Sequence, residues 1–546
     1  MARRLVPVLL PSLAAALLVP PVAVADGPST QLGTGGAVAS VDANATAAGI
    51  RVLREGGNAV DAAVATAAAL GVTEPYSAGV GGGGYMLIWQ QAKHRAVTID
   101  GRETAPQSLG PTGFIDPATG KPRPFDTLVN SGLSVGVPGT AATWLVASKR
   151  FGKLSFAQAL RPARRLAADG FVVDQTFHDQ TVQNEDRFSR YPSTRALFLP
   201  GGAPTPVGGT LRNPDLAHTY ALLAKDGTQP IYDGAIGRDI ATAVQRPPSD
   251  RGAVLAGGLT TADLRSYSVR LNGAIRSHFR GLDVLGMPPS SSGGIAIAEG
   301  LNIISALGPA ASDPTQALHR YLEASRLLFA DRGRWVGDDG FVNVPEHALV
   351  SKRFAASRAC LVQGNRSLPN PAPAGDPLHP SCGSVAPAGG AIGREGLSTT
   401  HLVTADRWGN VVSYTLTIEQ TGGSGIVVPG RGFLLNNEMT DFDAAPATGL
   451  TAASDPNLPA PGKRPRSSMS PTIVLKDGRP WLAVGSPGGA SIITTVFQTL
   501  LNRIDGGMTL EQAVAAPRAA ARRAAAPAAA PAAPPAPGLP GRTAPG

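Results

Sequence analysis

The chain alternates between two kinds of apolar spacing. Residues 44–72, "NATAAGIRVLREGGNAVDAAVATAAALGV", repeat apolar positions at helical spacing and break at Gly56-Gly57, which predicts two Ala-rich helices. Side chains this small let the helices lie close to a sheet. "GGGGYMLIWQ" and "AVTIDGRE" predict strands, and helical spacing returns over 140–150, 156–168 and 313–331. The cleanest period-two pattern comes late. Thr400 to Asp406 alternates, Arg407-Trp408-Gly409-Asn410 turns, and Val411 to Ile418 alternates again, which predicts a hairpin. Folded about that four-residue turn, Thr400 stands opposite Thr417, with Thr399 one step away. Directly opposed residues lie about 5 Å apart, so two hydroxyls from the two strand ends approach each other. Cross-strand threonine pairs are also ordinary strand chemistry.

A Pro/Gly-rich linker over 363–397 ends at this threonine pair. Near the other end, Leu510–Ala516 has a helical pattern, and 513–546 is Ala/Pro low complexity, too rich in proline for helix and expected to be disordered. At the start, "MARRLVPVLLPSLAAALLVPPVAVADG" has a basic opening, an apolar centre and the ending Ala23-Val24-Ala25. This predicts a secretory signal peptide over 1–25, and hence a secreted (extracellular or periplasmic) mature protein with no membrane span.

Charge changes the picture less than it first suggests. The net charge is +9, but Arg3 and Arg4 lie in the leader and Arg518, Arg522, Arg523 and Arg542 in an acid-free tail, leaving +3 for the body. No basic run is interleaved with aromatics, which argues against nucleic acid as a partner. The eight histidines have no metal-ligand spacing with one another or with cysteine. Cys360 and Cys382 bracket a Pro/Gly/Asn-rich loop, and export predicts a disulfide between them, with two free thiols as the alternative.

Two glycine motifs point to chemistry only formally. Gly79 to Gly84 matches a dinucleotide fingerprint, but a helix precedes it and a strand follows, the reverse of the order that motif needs. Gly132-Leu133-Ser134-Val135-Gly136 matches G-x-S-x-G, but the run continues as extended chain, which predicts a buried strand serine rather than a nucleophile elbow.

The motifs "GGNAVDAAVA", "DGRETAP", "TTHLVTADRWGN", "FLLNNEMTDF", "RPRSSMSPTIV" and "GSPGGA" occur in one order between about Gly36 and Arg518. Together they resemble the gamma-glutamyltransferase (glutathione hydrolase) family of N-terminal-nucleophile hydrolases. The resemblance implies an α+β fold, a four-layer αββα sandwich, made as one precursor and cut between Ser398 and Thr399. The large subunit would then be 26–398 and the small subunit 399–512.

It further implies Thr399 as the nucleophile, oriented by Thr417, with its freed α-amine as base. Arg102, Ser467 and Ser468 would hold the donor's α-carboxylate. Glu438 and Asp441 would hold its α-ammonium, with Glu419 close by. Gly488 and Gly489 would supply backbone N–H groups to the oxyanion. The substrates implied are glutathione or another γ-glutamyl donor, with water or an amino-acid acceptor, and no metal or organic cofactor.

Several positions depart from the family pattern. Glu419 stands where members often carry Asn, Thr440 replaces an acidic residue, and 443–466 contains no aromatic residue. Two other functions compete: a cephalosporin (glutaryl) acylase of the same family, and a catalytically impaired secreted binding protein. The tail has no strand pattern where members continue with further strand and helix, so the C-terminal part of the fold is expected to be incomplete, with a sheet edge uncovered.

Overall fold

The computed structural model describes residues 30–309, 313–386, 398–447 and 449–521. The predicted leader, the end of the linker and the tail beyond 521 lie outside these residues.

The two Ala-rich helices form as their spacing predicts. Helix α1 (Ala43–Arg54) is capped by Asp42, which accepts from Ala45 N at 2.7 Å. Helix α2 (Ala59–Thr73) starts with a capping box between Asn58 and Asp61, and every one of its residues is buried. Helices α3 (Thr140–Phe151) and α4 (Phe156–Asp169) follow, and short helices fill much of 175–266. Farther along come α5 (Gly293–Leu307), α6 (Pro314–Trp335) and α7 (Ser491–Ile504).

Ten strands build two antiparallel sheets. They are β1 (Gly36–Ala39), β2 (Gly83–Gln90), β3 (Arg95–Asp100), β4 (Arg270–Asn272), β5 (Ile275–Phe279), β6 (Leu282–Gly286), β7 (Thr400–Asp406), β8 (Val411–Thr417), β9 (Thr472–Lys476) and β10 (Arg479–Val484). The larger sheet has the order β1-β7-β8-β2-β3-β4 and the smaller β10-β9-β6-β5.

Side-chain alternation on these strands creates the layers. Along β2, Met86 and Ile88 enter the cluster formed with Val60, Val64 and Leu70 of α2. Leu87 and Trp89 point the other way and meet Leu285, Ile473 and Leu475 of the smaller sheet. Val284 and Val474 of that sheet face Leu301, Leu328 and Phe497 of α5, α6 and α7. The order is helices, sheet, sheet, helices: an αββα sandwich with both strand faces buried.

The hairpin forms, but its register differs by one from the simple folding. Asp406 N donates to Asn410 O at 3.1 Å, so Asn410 pairs and the loop is only Arg407 to Gly409. Gly409 takes a φ of 83°, the left-handed residue that a three-residue hairpin loop needs. Ala405 then pairs with Val411 and Thr400 with Leu416. Continuing the ladder sets Thr399, not Thr400, opposite Thr417.

Three further expectations meet the structure. Ser134 lies in a single 3-10 turn, Gly132–Ser134, rather than in a strand, and donates to Ser131 O at 2.9 Å. Cys360 and Cys382 form a disulfide, with Cα atoms 5.9 Å apart. The described start of the segment from 513 packs against the fold, unlike the expectation of disorder from 513. The last helix, Leu510–Ala515, runs into it, and Ala519 is held between Gln498 Oε1 at 3.0 Å and Tyr321 OH at 2.7 Å. Among the described residues, β5 and β10 are the edges of the smaller sheet.

Candidate active site

Antiparallel order brings the predicted residues together. In the larger sheet, the start of β7, the end of β8, the start of β2 and the end of β3 lie at one end, with Gly83 paired to Thr417. Thr399, Thr417 and Arg102 therefore emerge side by side. In the smaller sheet the start of β9 pairs with the end of β10, Thr472 with Val484. This joins Ser467-Ser468 to Gly488-Gly489 by the same logic.

Thr399 and Thr417 meet at the centre. Thr399 Oγ1 donates to Thr417 Oγ1 at 3.1 Å and also contacts Ser398 O, the carbonyl of its own preceding peptide bond. Thr417 Oγ1 donates to Ser398 O at 3.0 Å and accepts from Glu419 N at 2.9 Å. Ser398 is fixed in turn, its hydroxyl lying 2.8 Å from Ser77 Oγ and 3.0 Å from Tyr76 O. A hydroxyl thus rests against one carbonyl, and a second hydroxyl donates to that carbonyl's oxygen.

The formal dinucleotide motif serves this geometry. A Cβ at Gly82 would lie 2.1 Å from Thr417 O, so only glycine lets β8 end where it does. Asn436 ties the neighbouring loops, donating to Gly81 O at 2.7 Å and Gly136 O at 3.0 Å.

Arg102 is fully buried and carries the charge logic. Its guanidinium pairs with both Glu438 and Asp441 and donates through Nε to Pro465 O at 3.2 Å. The residues assigned to opposite ends of one ligand are here each other's partners. Burial works against the Arg102 charge, but the two carboxylates more than offset it and hold its pKa well up. Glu419, at a φ of 80°, is held by Asn437. Every predicted catalytic and substrate-binding residue except Gly488 lines one cleft. With Arg102 drawn onto both acids that cleft retains ≈ 10 Å³, about one water's worth. Gly488 and Gly489 precede α7 with φ of 114° and 56°.

The gamma-glutamyltranspeptidase family profile matches residues 45–528. The chain belongs to the gamma-glutamyltranspeptidase family. It is 38% identical over 508 residues to the glutathione hydrolase proenzyme of Bacillus subtilis (strain 168), covering 91% of this chain and 83% of that one. It is 36% identical over 492 residues to the acylase ACY 1 proenzyme of Pseudomonas sp. (strain SE83), covering 89% and 82%. Among solved structures, cephalosporin acylase from Bacillus halodurans superposes with a TM-score of 0.78 at 28% identity, covering 92% and 87%. The gamma-glutamyltranspeptidase of Helicobacter pylori gives 0.57 at 32% identity, covering 63% and 95%.

Beyond the family motifs that the sequence shows, the fold places three features behind the residues that line the cleft. Glu103, next to Arg102 in the chain, is fully buried, and burial followed by repulsion from Glu438 pushes its carboxyl well above the usual range. Ser290, Ser291 and Ser292 run beside Ser467 to Met469, with Ser292 N donating to Ser467 O at 2.8 Å and Ser291 Oγ to Met469 O at 2.7 Å. Arg332 reaches Ser468 from α6. The run "SSSGG" and the buried-face position of Arg332 were the available signals.

Proposed function

We propose that this chain is a secreted precursor that cuts itself at Ser398–Thr399 and then acts as a γ-glutamyltransferase and glutathione hydrolase. The observation that carries this reading is the Thr399 hydroxyl against its own preceding carbonyl, 3.1 Å from Thr417 Oγ1.

Maturation proceeds by attack of Thr399 Oγ1 on the Ser398 carbonyl carbon. Thr417 donates to the carbonyl oxygen as charge develops there. The C–N bond breaks, the hydroxyl proton ends on the departing nitrogen, and an ester remains. Water hydrolyses that ester, leaving a carboxylate on Ser398 and a free α-amine on Thr399. Such an amine titrates near pH 8, so a useful fraction is neutral at pH 7 and can take the proton from Thr399 Oγ1.

Turnover repeats the same chemistry on a γ-glutamyl amide. Arg102, Ser467 and Ser468 take the α-carboxylate, while Glu419, Glu438 and Asp441 surround the α-ammonium. The Gly488 and Gly489 amides, ahead of the N-terminus of α7, stabilise the oxyanion. Water or an amino-acid amine then releases the glutamyl group from Thr399. The relatives named glutathione hydrolase proenzyme support both the precursor and the donor class.

The likeness to a cephalosporin acylase favours a second reading, removal of a glutaryl chain. Glutaryl lacks the ammonium and would leave the acidic side of the cleft facing apolar carbon. A denaturing gel tests the main reading. Fresh folded protein should give two chains, the smaller beginning Thr-Thr-His-Leu on Edman sequencing. A single uncut chain would refute it and leave a non-catalytic binding protein as the better description.

A further inference from the structure

Arg332 lies in the last turn of α6 and is 2% exposed. Its Nη2 donates to Ser468 Oγ at 2.9 Å and its Nε to Ser292 Oγ at 2.7 Å. Ser292 Oγ in turn donates to Ser467 O at 2.7 Å. One guanidinium therefore secures both cleft serines, Ser468 directly and Ser467 through Ser292.

The direction of these bonds matters. A guanidinium has donors and no acceptor, so each hydroxyl oxygen it touches must accept. Ser468 has a single proton, and among the described residues Arg332 is the one hydrogen-bond partner of its Oγ. With a lone pair committed to a cation, the proton of Ser468 is left for the cleft that this residue lines. The adjacent positive charge also makes that O–H a stronger donor to an anion.

We infer that Arg332 is a positioning residue that makes Ser468 a committed donor to the ligand's carboxylate. This rests on the γ-glutamyl reading of the cleft. It predicts that the benefit of Arg332 is confined to ligands carrying that carboxylate. It also predicts that this benefit passes through Ser468 rather than through the general stability of the fold.

The test compares two donors on the matured enzyme: γ-glutamyl p-nitroanilide, and 4-aminobutyryl p-nitroanilide, which keeps the amine and lacks the carboxylate. Arg332→Met should raise KM for the first by about tenfold or more, the scale of one charged hydrogen bond. It should change kcat/KM for the second by less than about twofold, well under the tenfold expected of a lost contact. Adding Ser468→Ala to Arg332→Met should change KM little further, because both remove the same contact. Equal losses on both donors, or losses that add, would overturn the assignment. If Arg332→Met does not mature, Arg332→Lys enters the same comparison. It keeps the charge but cannot fork to both serines, so a loss selective for the carboxylate donor supports the inference. No loss, or equal loss on both donors, overturns it. A wild-type enzyme that turns over no γ-glutamyl anilide overturns the functional reading and this inference together. Normal wild-type turnover with a flat two-donor comparison overturns this inference alone.

Discussion

Removing the Thr417 hydroxyl should separate folding from maturation. Thr417→Val keeps the β-branched shape but deletes three contacts, at 3.1 Å to Thr399 Oγ1, 3.0 Å to Ser398 O and 2.9 Å to Glu419 N. The contact to Ser398 O is the one whose strength grows during attack, since that oxygen gains negative charge. Loss of one such donor slows acyl transfer by about 10²–10³. The Glu419 amide is also left without its acceptor, at a cost of about 1–3 kcal/mol that falls on stability rather than rate. The assay is the half-time for conversion of purified precursor into two chains on a denaturing gel, with circular dichroism checking the fold. Thr417→Ser, which restores the hydroxyl, should return most of the rate. A Thr417→Val half-time within about threefold of wild type, against the hundredfold or more expected, would refute the idea that Thr417 polarises the scissile carbonyl.

Other outcomes follow from the same geometry. The mature enzyme should prefer a γ-glutamyl over a glutaryl anilide by at least about tenfold in kcat/KM, since about 1.4 kcal/mol suffices; equal rates would sink the charge argument. Gly82→Ala should block maturation, because its Cβ would meet Thr417 O at 2.1 Å; normal cutting on the gel would show that β8 can shift without penalty. Burial lowers the His401 pKa to about 3, below its unfolded value of about 6.5. The unfolded chain therefore takes up that proton first, and stability is full above pH 6.5 and declines from there toward pH 3. Urea midpoints measured across pH 4–7 should flatten in His401→Gln by about one proton, and an unchanged slope would contradict this. Reducing the Cys360–Cys382 bridge should destabilise the fold by about 3 kcal/mol in the chain-entropy model, visible as a lower melting temperature; an unchanged melting temperature would count against that.

The sequence was most legible where a long run kept one composition and one spacing. Helices α1 and α2 and their break at Gly56-Gly57 show plainly, because small residues at helical spacing have no other use there. The hairpin of β7 and β8 was legible, but its register was not, because nothing in the string says that Asn410 pairs with Asp406 and shortens the loop. Ser134 misled for a similar reason: a short apolar run does not distinguish strand from a 3-10 turn. The candidate site was readable as motifs. What those motifs could not convey was partnership across the chain. Arg102 contacts residues more than 300 positions away, and the arginine behind Ser468 comes from a helix that otherwise reads as core.

The pairing of Arg102 with Glu438 and Asp441 makes ligand binding an exchange of partners. A zwitterion with its two charges in the right order can replace both halves of the internal salt at once. A simple anion would compete with the acids for Arg102, and a simple amine would compete with Arg102 for the acids. Each meets only one half of the exchange that a zwitterion completes. The protein's own side chains thus act as a placeholder that favours a zwitterion, which can take over both sides of the pairing, over chloride, acetate or a simple amine.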